Sequence, residues 1–156
     1  MGVKGLKRVF VTALDDVSAT DDEGVGTIRF EGMNVYKYVK YDDGAANLDL
    51  IPGDVVGYVS YPNGVVTGDQ SSAVDIIGAG VSMGTVTVDA SYFWIQIKGL
   101  ADLSQDVTAG ALGNALTLVG AADKELDVSA VVTDAVVAYL VDATASAQQI
   151  ACDFPF

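Results

Sequence analysis

Over most of its length the chain alternates, with apolar side chains at every second position of short runs separated by Gly, Pro, Asn and Asp. Residues 91–98, SYFWIQIK, show the pattern best. Phe93, Ile95 and Ile97 fall on one face, and Tyr92, Trp94, Gln96 and Lys98 on the other. The first face predicts core. The second, of rings with polar ends, an amide and an ammonium, suits a buried polar layer or a surface covered by another molecule.

The same period predicts a hairpin of residues 27–30 and 34–41 around Glu31-Gly32, with Val35 and Val39 alternating with Tyr36 and Tyr38. Further strands are expected at 55–61, between Pro52-Gly53-Asp54 and Pro62-Asn63-Gly64, and at 65–67, 73–77, 85–89 (Val86 and Val88 inward) and 148–154. Residues 100–120 carry Leu100, Leu103, Val107 and Ala111 at helical spacing. Gly110 and Gly113 weaken a helix there, which leaves a loop with short strands. Val128, Val131, Val132, Ala135, Val136, Tyr139 and Leu140 also fit a helical face, but β-branched residues favour strand for 128–141. The fold class expected is all-β, a small barrel or sandwich of short strands.

Residues 1–24 break the pattern. A short apolar run, Val9, Phe10 and Val11, passes into the acidic and aperiodic DDVSATDDEG, so 1–24 read as an extended N-terminal arm and tether ahead of a β-rich domain at 25–156. The apolar side chains of VFVTA then need a partner. Either they leave the domain to lie on a neighbouring molecule, or 9–13 form the first strand of their own barrel.

Length fits one domain, and no apolar run approaches the roughly 20 residues needed to span a bilayer, although hydrophobic residues make up 51% and mean hydropathy is +0.38. A soluble protein with no membrane partner is expected. The run at 9–14 is too short for a signal peptide, and Leu6 stands where myristoylation wants Ser or Thr, so no targeting label is expected.

Charge changes the picture more. The net charge is −13, while Lys4, Lys7, Arg8, Arg29, Lys37 and Lys40 all lie in the first 40 residues, so that residues 41–156 carry the whole excess of acid. Nucleic acid is not an expected partner. The balanced N-terminus either belongs to a solubility device or touches an acidic or polar protein surface through Lys4, Lys7, Arg8, Val9, Phe10 and Val11.

Chemistry is scarce. There is no histidine, which removes imidazole metal sites and proton shuttles, and the single Cys152 excludes an internal disulfide and reads as a small buried hydrophobe. In GAGVSMG, Gly78, Gly80 and Gly84 have the wrong spacing for a dinucleotide turn and read as loop glycines. Asp21-Asp22-Glu23 and Asp42-Asp43 lack the spacing of a calcium loop and read as solvated turn acids, and no two acids have a defined separation for glycosidase chemistry. No enzyme activity, metal or cofactor is expected. Trp94 packs under its own chain's loops or at a subunit contact. The mixed faces Tyr36, Tyr38, Tyr92, Trp94 and Gln96 are the candidate oligomer interface.

Two segments together, GTIRFEGMNVYKYVKYDDG followed by PGDVVGYVS, and YFWIQIKGLADLSQDVTAGALGNAL, resemble the capsid decoration or cement proteins of tailed bacteriophages. Arg29, Gly32, Tyr36, Lys37 and Val39 match that family's "R, two residues, G, then Y-K/R-x-V", and Trp94, Gln96 and Gly99 match its "W-x-Q-x-x-G". The resemblance covers roughly residues 25–120. It implies a structural role without catalysis, a homotrimer, the major capsid protein as partner, and a place on the outer surface of the virion head. A tail or fibre module that stacks host glycans on Trp94, Tyr92, Tyr36 and Tyr38 is the alternative.

Overall fold

The computed structural model describes residues 9–71, 77–146 and 148–156. Among these there is no helix, and eleven strands join one continuous hydrogen-bonded sheet. In chain order they are β1 (Val17–Ser18), β2 (Ile28–Glu31), β3 (Asn34–Tyr41), β4 (Val55–Ser60), β5 (Val65–Thr67), β6 (Ile77–Ser82), β7 (Tyr92–Asp102), β8 (Ala115–Thr117), β9 (Asp127–Val128), β10 (Val136–Asp142) and β11 (Gln149–Asp153). The protein is an all-β small barrel. Strands follow one another as β3-β5-β4-β6-β7, and β7 pairs back onto β3 to close a ring of five. Closure removes the free edges that so many short strands would otherwise expose. The β3–β5 pair, Lys40↔Val65 and Tyr41↔Val66, is parallel, and every other pair is antiparallel.

β7 is longer than the barrel needs. Its first part is a barrel stave, and its end, from Lys98 to Asp102, pairs with β11, from which an antiparallel extension continues as β10, β8 and β9. Pairing with β3 ends at Lys98, and the next residue, Gly99, has φ +95° and lies so close to Asn34 that an added Cβ would stand 2.0 Å from its Oδ1. Only glycine fits there. Barrel and extension share one core, in which Phe93, Ile95 and Ile97 form the predicted inner face of β7 and meet Leu116, Leu140, Ile150 and Phe154.

Several expectations change. Gly78 and Gly80 are strand residues of β6, not loop glycines: a Cβ at Gly80 would stand 2.6 Å from the Gln96 carbonyl oxygen, and one at Gly78 would meet Leu118 and Val137 at 2.8 Å. Residues 85–89 form no strand. Val86 makes a single bridge with Leu50 and is buried, but Val88 is exposed, because the chain must turn at Ala90 (φ +60°) to enter β7. The strand expected over 128–141 is split, with β9 and β10 separated by a turn in which the Asp134 carboxylate accepts from the Ala130 amide at 2.9 Å and the Val131 amide at 3.1 Å. Those bonds hold its carboxyl below the usual value. The strand expected at 73–77 lies mostly outside the described residues, although Ile77 opens β6.

Cys152 is buried, as its isolation predicted, and burial pushes its thiol up to about 12. Tyr38 is pushed up to about 12 as well, by burial and by the nearby Asp22 and Asp21 carboxylates. Both groups are neutral when folded, with values above their ordinary 9.0 and 10.0. They therefore contribute stability below about pH 9 that is lost as pH rises toward 12. Urea denaturation at stepped pH is expected to show this decline, and Cys152→Ala should make it shallower; an equal slope in that variant would remove Cys152 from the account.

Candidate functional site

The even positions of β3 and β7 point away from the barrel interior, and the register sets Tyr36 against Gln96, Tyr38 against Trp94 and Lys40 against Tyr92. Directly opposed side chains share a face, so two strands distant in sequence build one aromatic surface. Tyr38 and Trp94 lie with ring centroids 5.0 Å apart, and Tyr38 stacks on Tyr92 at 6.3 Å.

That surface is not open. Residues 10–14 cross it as a strap, with the Phe10 ring edge-on to Trp94 at 5.6 Å and Leu14 and Met83 packed against the same cluster. Trp94 and Tyr38 are 0% exposed. Along the strap Phe10, Thr12 and Leu14 face in while Val9, Val11 and Ala13 face out, a strand-like period without a strand's ladder.

Polar groups hold the strap down. The Trp94 Nε1–H donates to Thr12 Oγ1 at 2.9 Å, and the Thr12 hydroxyl donates onward to Glu23 Oε1 at 2.9 Å. The same Glu23 oxygen accepts the Val11 amide at 2.6 Å and the Thr12 amide at 2.8 Å, and the carboxylate is itself buried. A charged acceptor shared by three donors is a strong tie. From the far side Arg29 Nη1 donates to the Thr12 carbonyl at 2.9 Å, its guanidinium standing 4.9 Å from the Phe10 ring centroid and 5.7 Å from that of Trp94 while it ion-pairs with Glu31. β1 then adds to β7 through Val17↔Phe93 and Ser18↔Tyr92.

These observations correct three expectations. Val9, Phe10 and Val11 do not leave the domain, nor do they form a barrel strand; Phe10 packs on the chain's own β7 face, and Val9 and Val11 stay exposed. Tyr36, Tyr38, Trp94 and Gln96 are buried within one chain, so the face expected to receive a second copy is already occupied, and of that set only Tyr92 stays partly open. Gln96 uses its amide internally, donating to the Lys98 and Leu100 carbonyls at 3.1 and 2.8 Å. The tether acids also work locally: Asp22 accepts from Ser18 and Thr20, and Asp21 accepts the Gly24 and Val25 amides. Lys4, Lys7 and Arg8 lie outside the described residues.

Thr12 was not singled out from sequence, and Glu23, expected there as a solvated turn acid, is instead buried against the strap. The signal for Thr12 was present, since Phe10, Thr12 and Leu14 alternate with exposed positions. Nothing in the linear order could pair Glu23 with it. Asp42 and Asp43 are joined by Asp89, with one oxygen of each carboxylate within 4.8 Å of the others; Asp42 accepts the Gly44 amide and Asp89 the Asp43 amide. No known family model, curated protein or solved structure matches the chain.

Glu23→Ala is expected to free the Val11 and Thr12 amides and loosen the strap at a cost of about 2 kcal/mol. Hydrogen exchange should accelerate at these two amides while the β7 core stays protected. Unchanged protection at Val11 and Thr12 would show that the aromatic contacts alone hold the strap.

Proposed function

We propose that this protein is a decoration, or cement, protein of a tailed-bacteriophage head, bound to the outer surface of the assembled shell. One observation carries the reading: the residues that bear the resemblance, scattered over two segments, converge. Arg29 opposes Tyr36 across the β2–β3 hairpin, whose turn is Gly32 at φ +60°; Tyr36 opposes Gln96; Arg29 stands over Trp94; and Gly99 packs against Asn34 where β7 leaves β3. The shared pattern therefore describes one spatial unit, and its parts make a rigid, strapped barrel rather than a catalytic cleft.

In this role the protein binds the major capsid protein across subunit junctions as a homotrimer at three-fold positions. It stabilises by mass action only the state that presents the complete site. Phe30 and Met33 on the hairpin, with Val9 and Val11 on the strap, are the exposed apolar side chains offered to the shell. The charge of −13 suits an outward surface crowded with copies and opposes a place beside packaged DNA. The glycan-binding alternative loses its platform, because Trp94 and Tyr38 are fully covered and Tyr36 nearly so.

Purified protein added to empty mature capsids that lack it is expected to occupy three-fold positions to saturation, seen by electron microscopy. Replacing Lys4, Lys7 and Arg8 by Gln should leave a weaker and less salt-sensitive binding. Binding to host cells or glycans without binding to capsids would overturn the proposal.

A further inference from the structure

Lys37 sits where an apolar residue would be expected. On β3 it shares the inward side with Val35 and Val39, both core, and it is only 8% exposed. Its ammonium stands 5.1 Å from the Tyr58 ring centroid and 5.1 Å from that of Tyr61, two rings packed edge to face at 4.9 Å. Among the described residues no carboxylate lies within 4 Å of it and no hydrogen bond is made to it; the buried Tyr58 hydroxyl beneath likewise has no partner.

The other buried charges among the described residues have hydrogen-bond or ionic partners, although one oxygen of Asp69 has none. Asp54 accepts from Ser104 and the Ile51 amide and faces Lys124, Glu23 holds the strap amides, and Asp69 accepts the Ala45 and Ala46 amides. Lys37 faces the rings of Tyr58 and Tyr61, with no carboxylate paired to it among the described residues. Burial holds its ammonium below the usual value, a cost in stability that a methionine of similar reach would not incur.

The position explains what such a charge is for. Lys37 lines a cleft of about 370 Å³ at one end of the barrel, between Ile28 on one side and Tyr61, Asn63 and Phe156 on the other. Tyr61 donates its hydroxyl to the Phe156 main-chain oxygen, which ties Phe156 over the cleft, and the Lys98 ammonium stands 5.3 Å from the Phe156 ring while paired with Asp153. A concave site that sets apolar side chains beside one convergent charge is a usual form of small-ligand pocket.

We infer that the barrel mouth binds a carboxylate carried on a short apolar stem, with Lys37 as its counter-charge. A single unpaired ammonium matches a single negative charge. A phosphate would need further donors, but the Asn63 amide is committed to Ser60 and Lys98 to Asp153, and the charge of −13 penalises a dianion more than a monoanion. The rings of Tyr61 and Phe156 and the Ile28 side chain receive the stem. The carboxylate comes from a free organic acid or from a glutamate side chain of a partner protein. The inference stands apart from the capsid reading.

Amide-resolved NMR titration of the full chain tests it with three probes of one stem, 3-phenylpropionate, 3-phenylpropanol and 3-phenylpropylamine, and with the blocked peptide acetyl-Ala-Glu-Ala-amide. The propionate or the peptide should shift the Lys37, Tyr61 and Asn63 amides saturably, at least about tenfold more tightly than the alcohol, and the amine should not bind. Saturation by the propionate alone points to a free acid, and by the peptide alone to a protein partner. Lys37→Met should lose this binding and melt no lower than the parent. Absence of saturation with both carboxylates, equal binding of the alcohol, or binding retained in Lys37→Met would each overturn the inference, and the comparison of acid with alcohol stands even if that variant fails to fold.

Discussion

Replacing Trp94 with alanine is expected to destabilise the protein by about 3–5 kcal/mol, the range for deleting a fully buried large aromatic. The ring is 0% exposed and packs between Phe10 of the strap and Tyr38 of the barrel wall, with the Arg29 guanidinium nearby. Its loss also leaves Thr12 Oγ1 without its donor and Phe10 without the surface it covers. Because the ring lies between wall and strap rather than inside the barrel, the strap should open instead of the barrel collapsing into the void. Urea denaturation followed by circular dichroism gives the cost, and hydrogen exchange at Val11 and Thr12 shows the opening. Thr12→Val removes the acceptor of the Trp94 N–H together with the hydroxyl donor to Glu23, and should cost about 1–3 kcal/mol, read out by the fluorescence of the single tryptophan. A Trp94→Ala protein within 1 kcal/mol of the parent would mean that strap and wall repack without the indole, contrary to the role given to it here.

Asp54→Ala is expected to cost about 3 kcal/mol. Its carboxylate is fully buried just before β4, where one oxygen accepts the Ser104 hydroxyl and the other accepts the Ile51 amide at 2.9 Å and faces Lys124 Nζ at 3.7 Å. These partners come from three places: the turn into β4, the loop after β7 and the loop before β9. One side chain thus clamps barrel to extension. Alanine would leave the hydroxyl and amide unpaired and Lys124 without its acid; the partial exposure of Lys124 keeps the cost at the lower end of the range for breaking a buried pair. Asp54→Asn retains an acceptor for Ser104 or Ile51 and should cost about 1–2 kcal/mol. Chemical denaturation of both variants beside Asp153→Ala, a surface control paired with Lys98, decides the matter. Equal midpoints for Asp54→Ala and the control would sink the clamp.

Alternation, composition and turn residues sufficed for much of this molecule. The inner face of β7, the hairpin of β2 and β3 around Gly32, β5 and the buried Cys152 all follow from local period and from which side chains water rejects. The all-β class follows from the same signals, because each short run is closed off by a residue suited to a turn.

What period could not decide was which outer face stays outer. Tyr36, Tyr38 and Trp94 alternate against the core, and alternation leaves open whether the chain's own loops or another molecule covers them; only the tertiary structure brings residues 10–14 across them, through a glutamate and an arginine that carry no local pattern. The same holds for Lys37, an inward cation by period whose surroundings depend on Tyr58 and Tyr61 from another strand and turn. Gly80 needs its missing Cβ because of the Gln96 carbonyl on a different strand. Period is a property of neighbours in the chain, whereas covering a face, compensating a charge and closing a barrel depend on contacts between segments far apart in it, and these exist only once the fold has formed.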